Sequence, residues 1–196
     1  FLADCPNVEV ALMMRSSQVI EELVASQQFD VGFAETPHPR DAISQQDFDL
    51  ECVCVLSSED VLAEKSVITP ADLDGADLAM LFSEHKTFQQ TRVVFDSAGC
   101  SFRRRVEMQT FLPGLQFVAS RMCYMICDMI TAHGYVQHAS ADTRLVFRPF
   151  RPRISSSISI LTPAHRPSSA LAREFCGYLA EHTEQMRSSV ENQGHT

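Results

Sequence analysis

The chain has 196 residues, a formal charge of −9, 45% hydrophobic residues and 21% charged residues. That length buries a sizeable core, as one domain or two small lobes, and the hydrophobic share is ordinary for a globular protein. The negative charge argues against nucleic-acid binding by this piece, because phosphate recognition needs clustered Lys and Arg, and no run approaches the roughly 18–20 apolar residues of a membrane span.

The start, Phe1-Leu2-Ala3-Asp4, lacks the basic n-region of a signal peptide. Without an initiator Met, the chain reads as a fragment. Phe1 to Pro6 looks like a helix end and its turn. Residues 9–36 then read as strand, helix, strand. Val8 to Met14 is apolar and partly β-branched, as in a buried strand. Ser16 and Ser17 offer an N-cap, and Val19, Ile20, Leu23 and Val24 recur at helical spacing. Phe29 to Ala34 is a second short strand, so a parallel βαβ unit is expected, with Arg15, Ser16, Ser17, Glu35 and Thr36 at its ligand-binding edge.

Further on, Asp49 to Leu56 is a strand and Glu59 to Ala63 a short helix with Ser57 or Ser58 as its cap. Thr69-Pro70-Ala71-Asp72-Leu73 is a one-turn helix, closed by Gly75. Strands are predicted at Leu78 to Phe82, Phe102 to Gln109, Cys123 to Cys127, Leu145 to Phe147 and Ile154 to Leu161. Helices are predicted from Phe88 to Ala98, Leu112 to Arg121, Asp128 to His133, and Ala170 to Met186 with Leu171, Phe175 and Leu179 inward. Pro149 and Pro152 interrupt the ladder between the last two strands. Ser188 to Thr196 is a polar tail expected to fray. Arg103-Arg104-Arg105 must face both sides of a strand and reads as a solvated edge.

The seven cysteines, Cys5, Cys52, Cys54, Cys100, Cys123, Cys127 and Cys176, are odd in number and mostly sit in apolar surroundings. Reduced thiols of a cytosolic core are expected, not a disulfide framework. Cys52 and Cys54 share a strand face, but no C-x-x-C pair or histidine partner accompanies them, so no metal and no cofactor is expected.

The order of these segments resembles the effector-binding domain of LysR-type transcriptional regulators. Phe1-Leu2-Ala3-Asp4-Cys5-Pro6-Asn7-Val8, Leu23 to Gly32 (with Gln27 where glycine is usual) and Ile68-Thr69-Pro70-Ala71-Asp72-Leu73-Asp74-Gly75 carry the likeness. Within the family the chain is most similar to the opine regulators, through Ser16-Ser17, Glu84, Thr87, Asp128 and the Leu145 to Phe150 strand. The resemblance implies an α/β fold of two Rossmann-like lobes, type II periplasmic-binding-protein-like, with a ligand cleft between them. Lobe I is expected over residues 1–78 and 149–196, lobe II over 79–148. It also implies a cytoplasmic homodimer, a tetramer in the full-length protein, and DNA contact only through an N-terminal domain absent from this chain. Two departures stand out. The sequence starts after the family's first strand, and the family's glycine pair before the Asp128 strand is Ser120-Arg121-Met122-Cys123.

The candidate ligand residues are Ser16, Ser17, Glu35, Thr36, Glu84, Thr87, Thr110 and Asp128, with Gln109 weaker. Hydroxyls and N–H groups at helix starts suit carboxylates. Glu84 and Asp128 suit a ligand ammonium or guanidinium. Together they predict a zwitterionic effector, an amino acid or opine. The competing readings are a transporter's solute-binding protein, a dimerisation module without ligand, and an enzyme pairing Cys54 or Cys127 with His85 or His133. The enzyme lacks any supporting spacing: there is no G-x-S-x-G, H-E-x-x-H or P-loop.

Overall fold

The computed structural model describes residues 1–138 and 144–193, the side chains of 188–193 excepted. In chain order it contains α1 (Ser17–Ala25), β1 (Gly32–Glu35), β2 (Ile43–Ser57), β3 (Ala76–Leu81), α2 (Lys86–Ser97), β4 (Phe102–Met108), α3 (Gly114–Ala119), β5 (Tyr124–Asp128), α4 (Met129–His138), β6 (Leu145–Pro149), β7 (Ser155–Pro163) and α5 (Ala170–Gln193). Strands and helices mix as the α/β reading expects. The chain forms two compact units, Phe1–Asp49 with Ser157–Ser189, and Leu50–Ser156 with residues 190–193. The chain passes from one unit to the other within β2 and within β7.

In the first unit the strand order is β1-β7-β2. β1 runs antiparallel to β7, with Gly32 opposite Leu161 and Glu35 opposite Ile158. The expected parallel βαβ unit is therefore not what forms. Val8 to Met14 is not a strand either: Leu12 is 88% exposed and Met14 64% exposed. A strand is held by its ladder, and β1 spends its pairing on β7, so this apolar run has no ladder partner among the described residues. α1 packs close over β1, because a Cβ on Gly32 would meet the Ile20 and Val24 Cγ2 atoms at 2.8 and 2.9 Å. Val24, Ala34, Ile43 and Leu161 make this small core. The N-terminal turn docks on α5 through Phe1, whose ring lies 5.2 Å from that of Phe175, and through Asp4, which accepts from the Tyr178 hydroxyl at 2.8 Å. Leu171, expected inward, is 38% exposed.

The second unit has the order β2-β5-β3-β4, with β6 also pairing β2. β3 runs parallel to both β4 and β5. From Cys52 to Leu56, β2 is buried on both faces, and its alternation assigns one set of side chains to each. Cys52, Cys54 and Leu56 face Phe95 and Phe150. Val53 and Val55 face Leu115, Val118 and Met125. β4 is an edge carrying the exposed Arg103 and Arg104, as the arginine run predicts; they pair with Asp77 and Glu107. The short helix after β2 is a 3-10 turn, Val61–Glu64, capped by Asp60 and not by Ser57 or Ser58. Thr69 and Asp72 form the capping box of the next turn, Pro70–Leu73, and Gly75 follows at φ 72°. α3 is shorter than expected, α4 runs through Gly134 to His138, and Pro149 still pairs opposite Val53. Of the tail expected to fray, residues 188–193 continue α5 and 194–196 lie outside the described residues.

Two non-glycine residues take left-handed backbone, Gln27 at φ 61° and Arg121 at φ 59°. Both stand where glycine is usual in the family the sequence resembles. Each closes a helix in the same way. Gln27 N–H donates to the Val24 carbonyl and Gln28 N–H to that of Leu23, while Arg121 N–H donates to Val118 and Met122 N–H to Phe117. This is the two-bond helix ending that favours glycine at the left-handed position. An L-residue there costs about 1–2 kcal/mol, and glycine returns about 0.4–1 kcal/mol of that as unfolded-chain entropy. Gln27→Gly and Arg121→Gly are each expected to raise stability by about 0.5–1 kcal/mol in urea titrations. In the core, Phe95→Ala is expected to cost about 3–5 kcal/mol, whereas Val93→Ala, at a side chain 62% exposed, should stay within about 0.5 kcal/mol.

Candidate functional site

In the first unit, the start of α1 meets the end of β1. Ser16 is the N-cap residue, in extended backbone, but its side chain makes no cap bond. Its carbonyl accepts the Ile20 N–H at 3.0 Å. Ser17 Oγ accepts the Glu35 N–H at 3.1 Å, which ties the helix to the strand end. A hydroxyl that accepts still carries a proton to donate, so Ser17 can serve both structure and ligand. Thr36 belongs to a polar chain that sequence reasoning missed. Its hydroxyl bonds Ser157 Oγ at 2.9 Å and lies 2.8 Å from Ser159 Oγ, which in turn donates to Asp47 at 2.6 Å. The signal was present in Ser155-Ser156-Ser157-Ile158-Ser159, where every second serine shares a strand face. Ser16, Ser17, Glu35 and Thr36 are thus brought together.

In the second unit, β4, β3 and β5 run parallel, so Met108, Leu81 and Asp128 end at one edge. Carboxyl ends of parallel strands, with helix starts beside them, are where open α/β sheets bind ligands. Glu84, Thr87, Thr110 and Asp128 all lie on the segments leaving that edge. Glu84 is exposed and Thr110 half-buried. Thr87 is buried, and its carbonyl accepts the Thr91 hydroxyl at 2.8 Å. The void beside Thr87, Thr91 and Phe111 measures only about 10 Å³, room for one water. His85, which the sequence brought forward only as the base of an enzyme pair, is buried at the N-cap of α2, with its ring 3.2 Å from the Gln109 amide.

That enzyme pair lacks a nucleophile. Cys54 and Cys127 are fully buried, and burial pushes both thiols far up. The thiolate is the reactive form, and it is suppressed at both positions. The Cys123 thiol is pushed up to about 11 by the same cause. No group of His, Cys, Asp and Glu among the described residues is arranged to hold a metal ion.

Helix starts in this chain differ in how they are closed. Asp60, the Thr69–Asp72 pair, Asp128 and Ser169 each cap a helix or turn through a side chain. The N-cap residues of α1 and α2, Ser16 and His85, make no such bond with their side chains. The first-turn N–H groups of these helices have no intrahelical acceptor and carry the positive end of the helix dipole. Pro113, the N-cap residue of α3, makes none either, and that helix is only six residues long.

Asp128 is claimed by the helix that follows it. Its Oδ1 accepts the Thr131 N–H at 2.7 Å, and its Oδ2 accepts the Thr131 hydroxyl at 3.0 Å. Burial raises its pKa above the ordinary carboxylate value, and the Thr131 bonds only partly oppose this. A carboxyl with a raised folded pKa binds its proton more tightly in the native state. Its contribution to stability is largest at acid pH and is lost as pH rises through that raised value. Asp128→Asn keeps the cap acceptor and cannot ionise, so melting curves across pH should lose this alkaline-going decline. Asp128→Ala loses the cap and is expected to cost about 0.5–2 kcal/mol at any pH.

The chain matches the family described as LysR substrate binding domain over residues 1–184. It is 31% identical over 180 residues to the transcriptional activator protein LysR of Escherichia coli K12, an alignment covering 91% of this chain and 56% of that protein. It is 30% identical over 182 residues to the regulatory protein NocR of Agrobacterium tumefaciens T37, covering 92% of this chain and 59% of that protein. The chain therefore spans little more than half the length of these relatives. Its fold is similar to the Synechocystis PCC6803 CcmR regulatory domain in complex with 2-PG, at TM-score 0.74 and 20% identity, over 94% of this chain and 88% of that one. It is also similar to the effector-binding domain of QuiR in complex with shikimate, at TM-score 0.65 and 11% identity, over 87% of this chain and 79% of that one. These regulatory domains have the type II periplasmic-binding-protein-like fold expected from the sequence. The family match and the curated relatives together establish that the chain belongs to the LysR substrate-binding domain family.

Proposed function

We propose that this LysR-type effector-binding domain senses a small zwitterion, an amino acid or opine-like derivative, through the starts of α1 and α2. The supporting observation is the fixed cluster at the end of β1: Ser17 Oγ holds the Glu35 N–H and keeps its own proton to donate, beside the Thr36–Ser157–Ser159 hydroxyl chain and a helix start whose N-cap residue, Ser16, makes no side-chain cap bond. A ligand carboxylate supplies an acceptor to that start. Ser16, Ser17, Thr36, Thr87 and Thr110 hold the acid groups, and Glu35, Glu84 and Asp128 accept from the ligand's ammonium or guanidinium. Asp128 does so with the lone pairs left beside its Thr131 bonds.

In this reading the lobes, residues 1–78 with 149–196 and residues 79–148, close on the effector. A ligand drives such a change only through its different contacts with the two states. The closure is transmitted, within a cytoplasmic homodimer that is a tetramer in the full-length protein, to a DNA-binding domain outside this chain. No observation favours a transporter's solute-binding protein, and neither Cys54 nor Cys127 provides a reactive thiol for an enzyme.

Thermal-shift measurements against amino acids, octopine and nopaline test the reading. A true effector raises Tm by linkage, equivalent to about 2.7 kcal/mol at a hundredfold excess over Kd. Ser17→Ala and Thr87→Val are each expected to weaken it about tenfold or more, beyond the roughly 0.5–1.5 kcal/mol of unliganded stability that Ser17→Ala loses with the Glu35 N–H bond. An effector whose affinity is unchanged in both variants overturns the proposal.

A further inference from the structure

Two hydroxyls stand at the end of β1, Ser17 and Thr36, and their protons go in different directions. Ser17 Oγ accepts the Glu35 N–H at 3.1 Å, so its own proton stays available. Thr36 sits in a row of four oxygens: Ser157 Oγ, Thr36 Oγ1, Ser159 Oγ and Asp47 Oδ1, spaced 2.9, 2.8 and 2.6 Å. All four residues belong to the first unit. At these spacings each gap is a hydrogen bond, and each hydroxyl has a single proton to give.

Asp47 decides how the protons are shared out. Gln45 Nε2 donates to both of its oxygens, at 3.0 and 3.2 Å, an arrangement that suits an ionised carboxylate. An ionised carboxylate only accepts. Three gaps must then be filled by the three hydroxyl protons, and one order does so. Ser159, fully buried, gives its proton to Asp47. The Thr36 proton is left to fill the gap to Ser159, and the Ser157 proton fills the gap to Thr36. Any other order leaves two oxygens less than 3 Å apart with no proton between them. The Thr36 backbone has nothing to give either, because its N–H goes to the Ser157 carbonyl at 3.0 Å.

We propose that Asp47 is a positioning residue that sets the specificity of the effector site: by fixing the proton order, it stops Thr36 from receiving a carboxylate, so the effector lies with its acid on Ser17 and its basic groups toward Glu35. This rests on the effector site proposed at the start of α1. It moves Thr36 from the acid side of the ligand, where its hydroxyl alone places it, to the basic side. A carboxylate brought to Thr36 meets lone pairs, whereas at Ser17 it meets a proton and the positive end of a helix. Asp47 touches no ligand in this scheme and acts only through Ser159 and Thr36.

Neutron diffraction from deuterium-exchanged crystals of the 196-residue chain reads the order directly. Deuterons are expected from Ser157 toward Thr36, from Thr36 toward Ser159 and from Ser159 toward Asp47. Sodium acetate, a bare carboxylate, soaked into the same crystals is expected on Ser17 Oγ and beyond hydrogen-bond distance of Thr36 Oγ1. In solution, Asp47→Ala frees the row to reverse and gives Thr36 a proton to offer. The acetate Kd, read by NMR titration, should then fall about tenfold, the worth of one added charge-assisted hydrogen bond. Loss of a negative charge also favours an anion, so the deciding arm adds Thr36→Val to Asp47→Ala. A gain that comes from the proton order disappears in the double variant. The proposal is overturned by a Thr36 deuteron that points anywhere but at Ser159, by an acetate gain that survives Thr36→Val, or by no gain at all. Acetate that avoids Ser17 while the deuterons lie as expected strikes the effector site at α1 itself, and the orientation falls with it.

Discussion

Strand β2 is the constraint on which the second unit depends. Its stretch from Cys52 to Leu56 is buried on both sides, so each alternating residue there must be apolar and of the right size. Cys52, Cys54 and Leu56 are sealed by Phe95 and Phe150, and Val53 and Val55 by Leu115 and Met125. Because one face belongs to α2 and the other to α3, a slip of one residue would exchange the two sets. With β2 locked, β5 and β6 pair on it in one register each. β5 then carries β3 and β3 carries β4, and the parallel ends of those three strands bring Glu84, Thr87, Thr110 and Asp128 to a single edge.

The chemistry at that edge and at the start of α1 is set by what the helices do with their own first turns. A helix start that is closed by an Asp or Ser has spent its N–H groups on the protein. α4 and α5 are of this kind, and Asp128 closes α4 through both of its oxygens. The N-cap residues of α1 and α2, Ser16 and His85, make no such side-chain bond. Beside the start of α1 the hydroxyl geometry is already fixed: Ser17 through the Glu35 N–H, and Thr36 through Ser157 and Ser159. Groups held in this way lose little freedom on binding a ligand.

Much of this was legible in the residues. Double-sided burial showed in the unbroken apolar run from Cys52 to Leu56, and the Thr69-Pro70-Asp72 turn in its capping chemistry. Helical spacing marked α1, α2 and α5. What escaped was set by tertiary partners. Val8 to Met14 has the composition of a strand, yet composition names no ladder neighbour, and β1 pairs instead with a strand more than a hundred residues away. For Asp128 the sequence offers both a ligand acceptor and the N-cap of the following helix, since a carboxylate at a strand end serves either purpose, and the Thr131 geometry establishes the cap. His85 enters the sequence reading only as the base of an enzyme pair, because a lone histidine carries no spacing signal that would place it at the α2 N-cap. Gln27 and Arg121 were visible as replacements for glycine, but only the backbone angles turn that substitution into a stored cost.

The proposed effector site rests on the first-turn N–H groups of α1 and α2 as receivers of a ligand carboxylate. The most direct measurement is the backbone amide spectrum of Ser17, Gln18, Thr87 and Phe88, with and without an effector identified by its stabilisation of the fold. Direct capture of the carboxylates predicts downfield shifts and slowed hydrogen exchange at amides of both helix starts. An effector that stabilises the protein while leaving all four amides unmoved contradicts the account.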